Sequence, residues 1–362
     1  MRIALLAPTY ERVPPVTYGG TEQIVAVLAD ELVTRGHDVT LFATGDSDTL
    51  ASLRSITPRP YRYGDPDGPM HAEYVQLANV QAAFLAAAEG TFDIVHNHAM
   101  VEGLAFAAFS TTPVLTTCHN PYAPETEAIW QAYPWYHHAM SWASHATFPE
   151  PGRLPPIHHG IDVASFPFSD RPPADPPGGY LLFLGRFSPT KGAATAIEAA
   201  RRSGRTLLLA GKVDRHDEAH YTTEIEPRID GDRIRYMGEV DGDEKRRLLA
   251  GADALLFPID WDEPFGLVIV ESLATGTPVI GFRRASVPEL IEDGVTGFVV
   301  GDEDGMVDAI GRLGSIDRRA CRRDAERRFT AQRMTDDYER AYAQVASSSP
   351  TKRIRAREEL LA

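Results

Sequence analysis

Cysteine is scarce in this chain of 362 residues, which has only Cys118 and Cys321. Two cysteines cannot build a disulfide framework or a cysteine metal cluster, and their rarity is typical of a reducing compartment. No apolar run approaches the roughly 18 residues that a membrane-spanning helix needs, and the run at 3–7 is too short for a signal-peptide core. We therefore expect a cytoplasmic protein.

Basic side chains are also few. The sequence has 36 lysines and arginines against 51 aspartates and glutamates, a formal net charge of −15 at pH 7. This imbalance argues against general nucleic-acid binding and against a purely electrostatic hold on an anionic membrane. We expect no nucleic-acid partner and at most peripheral membrane contact, and an anionic substrate would have to meet local positive charge.

The chain does have the length and composition of a soluble two-domain protein. Its residues are 43% hydrophobic and 24% charged, and each of two domains could bury its own core. Short apolar runs alternate with helical patterns along the chain. This alternation predicts an α/β protein with two doubly wound, Rossmann-like domains.

The stretch 260–274 is the most informative part of the sequence. It lies between two short apolar runs, which predicts strand, loop, helix and strand, one βαβ unit. Pro264 suits the first turn of a helix, and Gly276 suits its end. We therefore expect Glu263 to stand just before the helix and Glu271 about two turns inside it.

Glu263 and Glu271 have a spacing that suits an elongated ligand. A continuous helix would separate them by about 12 Å, which is too far for a carboxylate pair that shares one bond cleavage at roughly 5 to 9.5 Å. Between them we expect free helix N–H groups at Phe265, Gly266 and Leu267, which suit a phosphate group. A hydroxyl-rich group at each end and an anion between them describe a nucleotide-sugar.

Both acids also have an ordinary interpretation. Glu263 could be a first-turn acid favoured by the helix dipole, and Glu271 could be an exposed helix residue. The helix around Glu271 is almost entirely apolar, however, and such a helix is buried. A buried carboxylate needs partners, so the pattern favours the functional interpretation.

Arg186 and Lys191 lie in one loop, directly after the predicted strand 180–184 and before a helix. Surface cations usually serve solubility. Two cations at the carboxyl end of a strand in an acidic chain suit a diphosphate.

The run 263–267, followed by Glu271 and by 276–280, resembles the E-x7-E signature of the retaining nucleotide-sugar glycosyltransferases of family 4. The resemblance implies the GT-B fold, with two Rossmann-like domains facing an interdomain cleft and a C-terminal helix that crosses back to the first domain. It matches Arg186 and Lys191 to the cations that hold the donor diphosphate.

The resemblance implies further roles. Glu263 would hold the sugar hydroxyls and would not act as a general base, and Glu271 would hold the ribose hydroxyls. The loop at Val240 would lie near the nucleobase, although a plain turn is the alternative there. At position 285, alanine stands where the family more often has glycine.

In the first domain, His119 would face the donor sugar, and a structural histidine is the alternative. Gly19 and Gly20 would let backbone N–H groups approach the donor phosphate or the acceptor, and a tight turn is the alternative. The sequence departs from the family pattern at Asn120, where an acid is commoner, and at His159, where asparagine is usual.

The predicted organisation has five parts. These are an acceptor-side domain at 1–166, a proline-rich linker at 167–179, a donor domain at 180–329, a helix at 330–346 that packs back on the first domain, and a flexible basic tail at 347–362.

Three other patterns are weaker. The acidic triplet 46–48 matches a metal-binding D-x-D pattern but is more simply a solvated turn. His96 and His98 could form half of a metal site, but strand-end hydrogen bonding is the simpler interpretation. Clustered aromatic residues at 121–148 could stack on sugars or meet a membrane, with core packing of a helix as the default. We expect no metal and no cofactor.

The sequence thus predicts a retaining, metal-independent glycosyltransferase that moves a hexosyl unit from a nucleoside-diphosphate sugar to a hydroxyl acceptor of unknown identity. A UDP-sugar is the favoured donor, and GDP-mannose is a second possibility. The alternatives are another GT-B enzyme, such as an epimerase or a phosphorylase, and a catalytically silent sugar-binding or membrane-docking protein. Slow hydrolysis of a donor would exclude the silent protein.

Overall fold

A computed structural model describes residues 1–17, 19–61, 68–132, 136–171 and 179–347. The chain forms two compact units, of which the first combines Met1–Gly160 with the segment from Ala331 onwards and the second is Ile161–Thr330. Most of the predicted linker and nearly all of the predicted tail lie outside the described residues. No helix in the described part of the chain is long and apolar enough to cross a membrane.

The first unit is built on a parallel sheet, with six strands among the described residues, in the order β3-β2-β1-β4-β5-β6. The strands are β1 (Arg2–Leu6), β2 (Asp38–Phe42), β3 (Ser52–Arg54), β4 (Ile94–Asn97), β5 (Val114–Thr117) and β6 (His137–His138). In the centre of the sheet Ile3 pairs with Val39 on one side and with Ile94 on the other. These central strands are buried apolar runs because helices cover both faces of a parallel sheet.

The second unit repeats this plan with the order β12-β11-β10-β7-β8-β9. Its strands are β7 (Leu181–Leu184), β8 (Leu207–Ala210), β9 (Ile234–Tyr236), β10 (Ala254–Phe257), β11 (Val279–Phe282) and β12 (Gly297–Val300). In both units the chain winds outwards in one direction from the first strand and then in the other direction from the fourth. The predicted pair of doubly wound, Rossmann-like sheets is therefore confirmed.

The helices fill the connections between these strands. In the first unit they are α1 (Gly20–Thr34), α2 (Gly68–Ala88), α3 (Met100–Ala107), α4 (Glu127–Ala132) and α5 (Trp142–His145). In the second they are α6 (Ala193–Arg202), α7 (Glu218–His220), α8 (Gly242–Gly251), α9 (Leu267–Ala274), α10 (Val287–Leu290), α11 (Glu303–Gly311) and α12 (Arg318–Arg328), and the chain ends in α13 (Ala331–Ser347).

Helix α13 returns to the first unit, as predicted. Its residues Asp336 and Glu339 accept hydrogen bonds from Arg35, at the end of α1, at 2.6 and 2.8 Å. Tyr338 and Tyr342 are fully buried, so the helix completes the core of that unit.

The aromatic segment differs from the single helix that we expected. It forms the short helices α4 and α5 with strand β6 between them. Trp130 packs in the core as predicted, fully buried against Phe148 and Tyr122, but Trp142 is 59% exposed and does not. The sheet edge at β6 supplies hydrogen-bond partners that a helical pattern could not anticipate.

The acidic triplet 46–48 is a turn, as the simpler interpretation predicts. Asp46 and Asp48 are exposed, and the Thr44 hydroxyl donates a hydrogen bond of 2.6 Å to Asp46.

Candidate active site

The predicted site residues Arg186, Lys191 and Glu263 lie in loops at the point where the winding direction of the second sheet reverses. Strands β7 and β10 are neighbours, but β7 leads to β8 on one side and β10 leads to β11 on the other. Ligands of open α/β sheets bind in a crevice at the carboxyl edge of such a switch point. Arg186 and Lys191 lie in the loop after β7, and Glu263 lies in the loop after β10.

These two loops are fastened to each other through their backbones. The N–H of Asp260 donates to the carbonyl of Thr190 at 2.7 Å. Gly192 has a left-handed φ of +78°, and a Cβ at this position would lie 2.0 Å from the Pro258 carbonyl oxygen. Only glycine combines that conformation with that approach, so it fixes the distance between the two loops.

Lys191 and Glu263 form an ion pair in this crevice. Lys191 Nζ lies 2.5 Å from Glu263 Oε2, and the Trp261 indole donates to the same oxygen at 2.9 Å. Lys191 Nζ also lies 4.6 Å from the centre of the Trp261 ring. Both charged side chains are mostly buried, with 18% and 13% exposure. The sequence predicted roles for Lys191 and Glu263 but not for Trp261, whose ring contacts both side chains.

Arg186 is held more loosely. Its Nε lies 3.4 Å from Asp217 Oδ2, and its side chain is 39% exposed. The contact is an ion pair without hydrogen-bond geometry, because Nε has no hydrogen-bond partner in the described part of the chain. A cation held in this way keeps its N–H donors available for an anion.

The start of the helix after Glu263 was predicted wrongly. Helix α9 begins at Leu267, and Pro264 lies in the preceding loop. Gly266 has φ +89° and ψ 60°, a left-handed conformation that a right-handed helix cannot continue. Of the three amides that we expected at the helix end, only that of Leu267 belongs to it, and the 12 Å spacing, which assumed continuous helix, does not apply.

Phe265 instead anchors the loop. Its side chain is 3% exposed, its ring packs edge-on against Phe329 at 6.2 Å, and its carbonyl accepts a hydrogen bond of 2.7 Å from the buried Ser286 hydroxyl. The neighbouring Ala285 has a positive φ of 44°. This conformation favours glycine, which gives a physical reason for the family preference noted above.

Glu271 is buried, as predicted, and it has a partner. The side chain is 5% exposed, and its Oε1 lies 2.6 Å from Lys245 Nζ. Lys245 lies on α8, whose first turn is capped by Asp241, which accepts from the Glu244 N–H at 2.8 Å. Val240, directly before that cap, is buried. Burial predicted that a partner for Glu271 exists, but no spacing in the sequence identifies Lys245.

The first unit has its own cavity at the corresponding point, where β1 and β4 are neighbours and the winding reverses. Its volume is about 310 Å³. The polar residues of its wall include Glu22, Gln76, His98, Glu102, His119 and Asn120. The sequence pattern had pointed to His119 in this wall but not to Glu22 or Gln76.

Gly19 and Gly20 begin helix α1 beside this cavity. Gly19 is the residue before the first turn and has φ +154°. A Cβ there would lie 2.8 Å from Pro15 Cβ and 3.0 Å from Glu22 Oε2, so glycine makes room for the Glu22 carboxyl group. A Cβ at Gly20 would meet nothing within 4 Å.

Histidines form a connected cluster behind the cavity. His98 Nδ1 lies 2.7 Å from His119 Nε2, and the His119 and His159 rings stack at 5.4 Å. His96 hydrogen-bonds with Tyr342 at 2.7 Å and with Thr117 at 2.8 Å. The strand-end hydrogen bonding expected for His96 and His98 is confirmed. No group of three metal-ligating residues occurs among the residues that the structure describes.

These histidines are neutral in the folded protein. Burial lowers the pKa of His138 to about 4 and lowers the pKa values of His96, His98 and His159 well below 6.5. Their mutual repulsion lowers the pKa values further, because each charged ring would face its neighbours.

The free energy of unfolding should therefore decrease as the pH falls from about 6.5 towards 4. In that window the unfolded chain binds protons at these positions and the folded chain does not. We expect a total loss on the order of several kcal/mol. Burial raises the pKa of Glu22 to about 7 and also raises the pKa values of Asp30, Glu102 and Asp253, and these carboxyl groups act in the opposite direction.

Urea unfolding at about pH 8 and about pH 5 measures this effect. His159→Asn, which removes one titrating group, should reduce the dependence on pH, while the exposed His216→Asn should not. Equal unfolding free energies at the two pH values would contradict the expectation.

Comparisons with known proteins bear on both units. The family model described as Glycosyltransferase Family 4 matches residues 18–154, and the model described as Glycosyl transferases group 1 matches residues 168–328. The chain is 28% identical over 342 residues to the phosphatidyl-myo-inositol mannosyltransferase of Mycolicibacterium smegmatis, which covers 86% of this chain and 84% of the relative. It is 28% identical over 402 residues to a glycogen synthase of Mycobacterium tuberculosis, covering 94% and 91%.

Among solved structures, AviGT4, a glycosyltransferase involved in avilamycin A biosynthesis, is similar with a TM-score of 0.75 and 26% identity. The match covers 96% of this chain and 98% of AviGT4.

Proposed function

We propose that this chain, which belongs to glycosyltransferase family 4 and has the GT-B fold, transfers a hexosyl unit from a nucleoside-diphosphate sugar to a hydroxyl acceptor. The transfer retains the anomeric configuration and uses no metal. The donor binds to the second unit and the acceptor to the first.

One observation carries the proposal. Two cations, Arg186 and Lys191, and the carboxylate Glu263 occupy the two loops that follow the neighbouring strands β7 and β10. Cleavage of the bond between the anomeric carbon and the diphosphate leaves negative charge on the departing oxygen. Cations fixed near that oxygen stabilise the charge as it forms, without reorganisation at the moment of reaction.

Glu263 serves to hold the donor sugar. Its Oε2 already accepts hydrogen bonds from Lys191 and Trp261, and these bonds hold the carboxyl group in place as an acceptor for sugar hydroxyls. Glu271, on the far side of the helix start at Leu267, accepts the ribose hydroxyls, and the loop at Val240 meets the base. For retention, the acceptor hydroxyl attacks on the face that the diphosphate leaves, and the departing phosphate oxygen receives the hydroxyl proton.

A UDP-sugar is the first donor to test, and GDP-mannose is the second because the relative from M. smegmatis is named as a mannosyltransferase. The purified protein should hydrolyse one nucleotide-sugar slowly when UDP-, GDP- and ADP-sugars are each supplied without an acceptor. Released nucleoside diphosphate gives the rate, and NMR of the transferred or released sugar gives the anomeric configuration.

The expected rate is unchanged after treatment with a chelator. A loss of activity on chelation would overturn metal independence, and an inverted product would overturn retention. A change of sugar configuration without nucleotide release would indicate an epimerase. Nucleotide binding with no turnover on any donor would indicate a silent binding protein and would overturn the proposal.

A further inference from the structure

The cavity of the first unit has a wall that is acidic and lacks cations. Glu22 and Glu102 are part of this wall, and no lysine or arginine is among the described residues that line it. Its volume of about 310 Å³ is at the lower end of the range for small-molecule sites, roughly 300 to 1,000 Å³. A single sugar ring or another small polyol fits such a volume.

Glu22 is the unusual member of the wall. It lies in the first turn of α1 and is only 6% exposed, although an acid that served the helix dipole alone could stay in solvent. Its carboxyl group accepts a hydrogen bond from its own backbone N–H, but it has no ion pair and no side-chain hydrogen bond among the described residues. The charge that acts on it is another carboxylate, Glu11, and together with burial this raises its pKa to about 7.

Two further groups face the cavity with unused hydrogen-bonding capacity. His98 is fully buried, and its Nε2 has no hydrogen-bond partner among the described residues. Gln76 is 1% exposed, and its amide oxygen is occupied by the Thr9 N–H and hydroxyl at 2.9 and 3.0 Å, which leaves its NH₂ group to donate. A ligand with several hydroxyls would offer a donor to the Glu22 carboxyl group and an acceptor to the Gln76 NH₂ group.

We propose that this cavity binds an uncharged, polyhydroxylated acceptor, a free sugar or polyol unit, with Glu22 as the residue that accepts its hydroxyl and rejects phosphorylated acceptors. The assignment of the ligand as the acceptor rests on the proposed function, whereas its charge class rests on the cavity wall. A phosphate placed here would face Glu22 and Glu102 with no cation in the described wall to compensate. This specificity differs from that suggested by the name of the mannosyltransferase relative, because phosphatidyl-myo-inositol carries a phosphate.

Binding to the full chain without donor, measured at about pH 8 where Glu22 is mostly ionised, tests the inference directly. The probes are myo-inositol, maltose and myo-inositol 1-phosphate, with dissociation constants from saturation-transfer NMR. We expect at least one uncharged probe to bind, and the phosphorylated probe to bind at least about tenfold more weakly, as expected for like charges brought together. Binding of none of the probes, or equal or tighter binding of myo-inositol 1-phosphate, would overturn the inference.

Glu22→Gln separates recognition from a structural role. It should reduce the discrimination against myo-inositol 1-phosphate and raise the unfolding midpoint at about pH 8, because a carboxyl group with a raised pKa destabilises the fold once the unfolded chain ionises. Glu89→Gln, at an exposed position after α2, is the matched control and should change neither quantity.

An unchanged ratio of affinities in Glu22→Gln would overturn the inference, and so would a lower midpoint, which indicates that Glu22 is structural. These binding results do not depend on turnover. Absence of sugar transfer with every donor would refute the proposed function while leaving the charge selectivity of the cavity measurable.

Discussion

Arg186→Ala should lower kcat roughly 100- to 1,000-fold, the effect of removing one group that stabilises charge in a transition state. The protein should stay folded, because the ion pair of Arg186 with Asp217 is long, at 3.4 Å, and the Arg186 side chain is 39% exposed, and such partly exposed pairs contribute little to stability. The affinity for nucleoside diphosphate should fall less than kcat, since the charge on the leaving oxygen is greatest during bond cleavage. Initial rates with the best donor of the panel, together with calorimetric nucleotide affinities, measure the two effects.

Arg202→Ala is the matched control for Arg186→Ala. Arg202 is also a cation of the second unit, and its side chain is 41% exposed, close to the 39% of Arg186. It pairs with Glu303 and Asp304 at 2.7 Å, at the end of α6 and away from the crevice loops. Its removal should leave kcat within about twofold, as is usual for surface substitutions. An unchanged kcat in Arg186→Ala would remove Arg186 from the reaction.

Glu271→Ala should weaken nucleotide binding by roughly 10- to 100-fold. A hydrogen bond to a charged group contributes about 1.5 to 3 kcal/mol, and Glu271 is assigned to the ribose hydroxyls. The substitution also leaves Lys245 Nζ without the partner that lies 2.6 Å away. Breaking a buried pair from one side destabilises the fold by up to about 3 to 5 kcal/mol, so the unfolding midpoint should fall as well.

Lys245→Ala distinguishes the two consequences of Glu271→Ala. It breaks the same ion pair from the other side and leaves the more deeply buried group, Glu271, unpaired, so its loss of stability should be at least as large. It leaves the carboxylate in place for the ribose. Its nucleotide affinity should therefore fall less than that of Glu271→Ala. Equal affinities for wild-type protein and Glu271→Ala, measured by calorimetry, would remove Glu271 from the binding site.

The sequence predicted the fold because its signals are local. Apolar runs of strand length, each ending at a polar loop, recur often enough to define both sheets, and the strand predicted at 180–184 is β7, Leu181–Leu184. The predicted start of helix α9 was wrong because the sequence around Gly266 does not show that this glycine adopts a left-handed backbone conformation. The glycine could equally have been an ordinary residue of the first turn.

The partners of the site residues could not be predicted for a different reason. Glu271 and Lys245 are 26 positions apart, and Lys191 and Glu263 are 72 apart, so the contacts depend on how the loops and helices pack. Glu22 was missed because an acid in a first helical turn is common. Only its burial beside a cavity distinguishes it, and burial at a single position is not visible in the sequence.

The return of α13 to the first unit has a consequence for biosynthesis. The second unit is continuous along the chain and is complete once residue 330 has left the ribosome. The first unit, although its other residues are made earlier, still lacks Tyr338 and Tyr342, and His96 lacks the hydroxyl that lies 2.7 Å away in the finished protein. Domains tend to fold as units during synthesis, usually the N-terminal one first. In this protein, the first unit begins to be synthesised before the second unit but is completed after it.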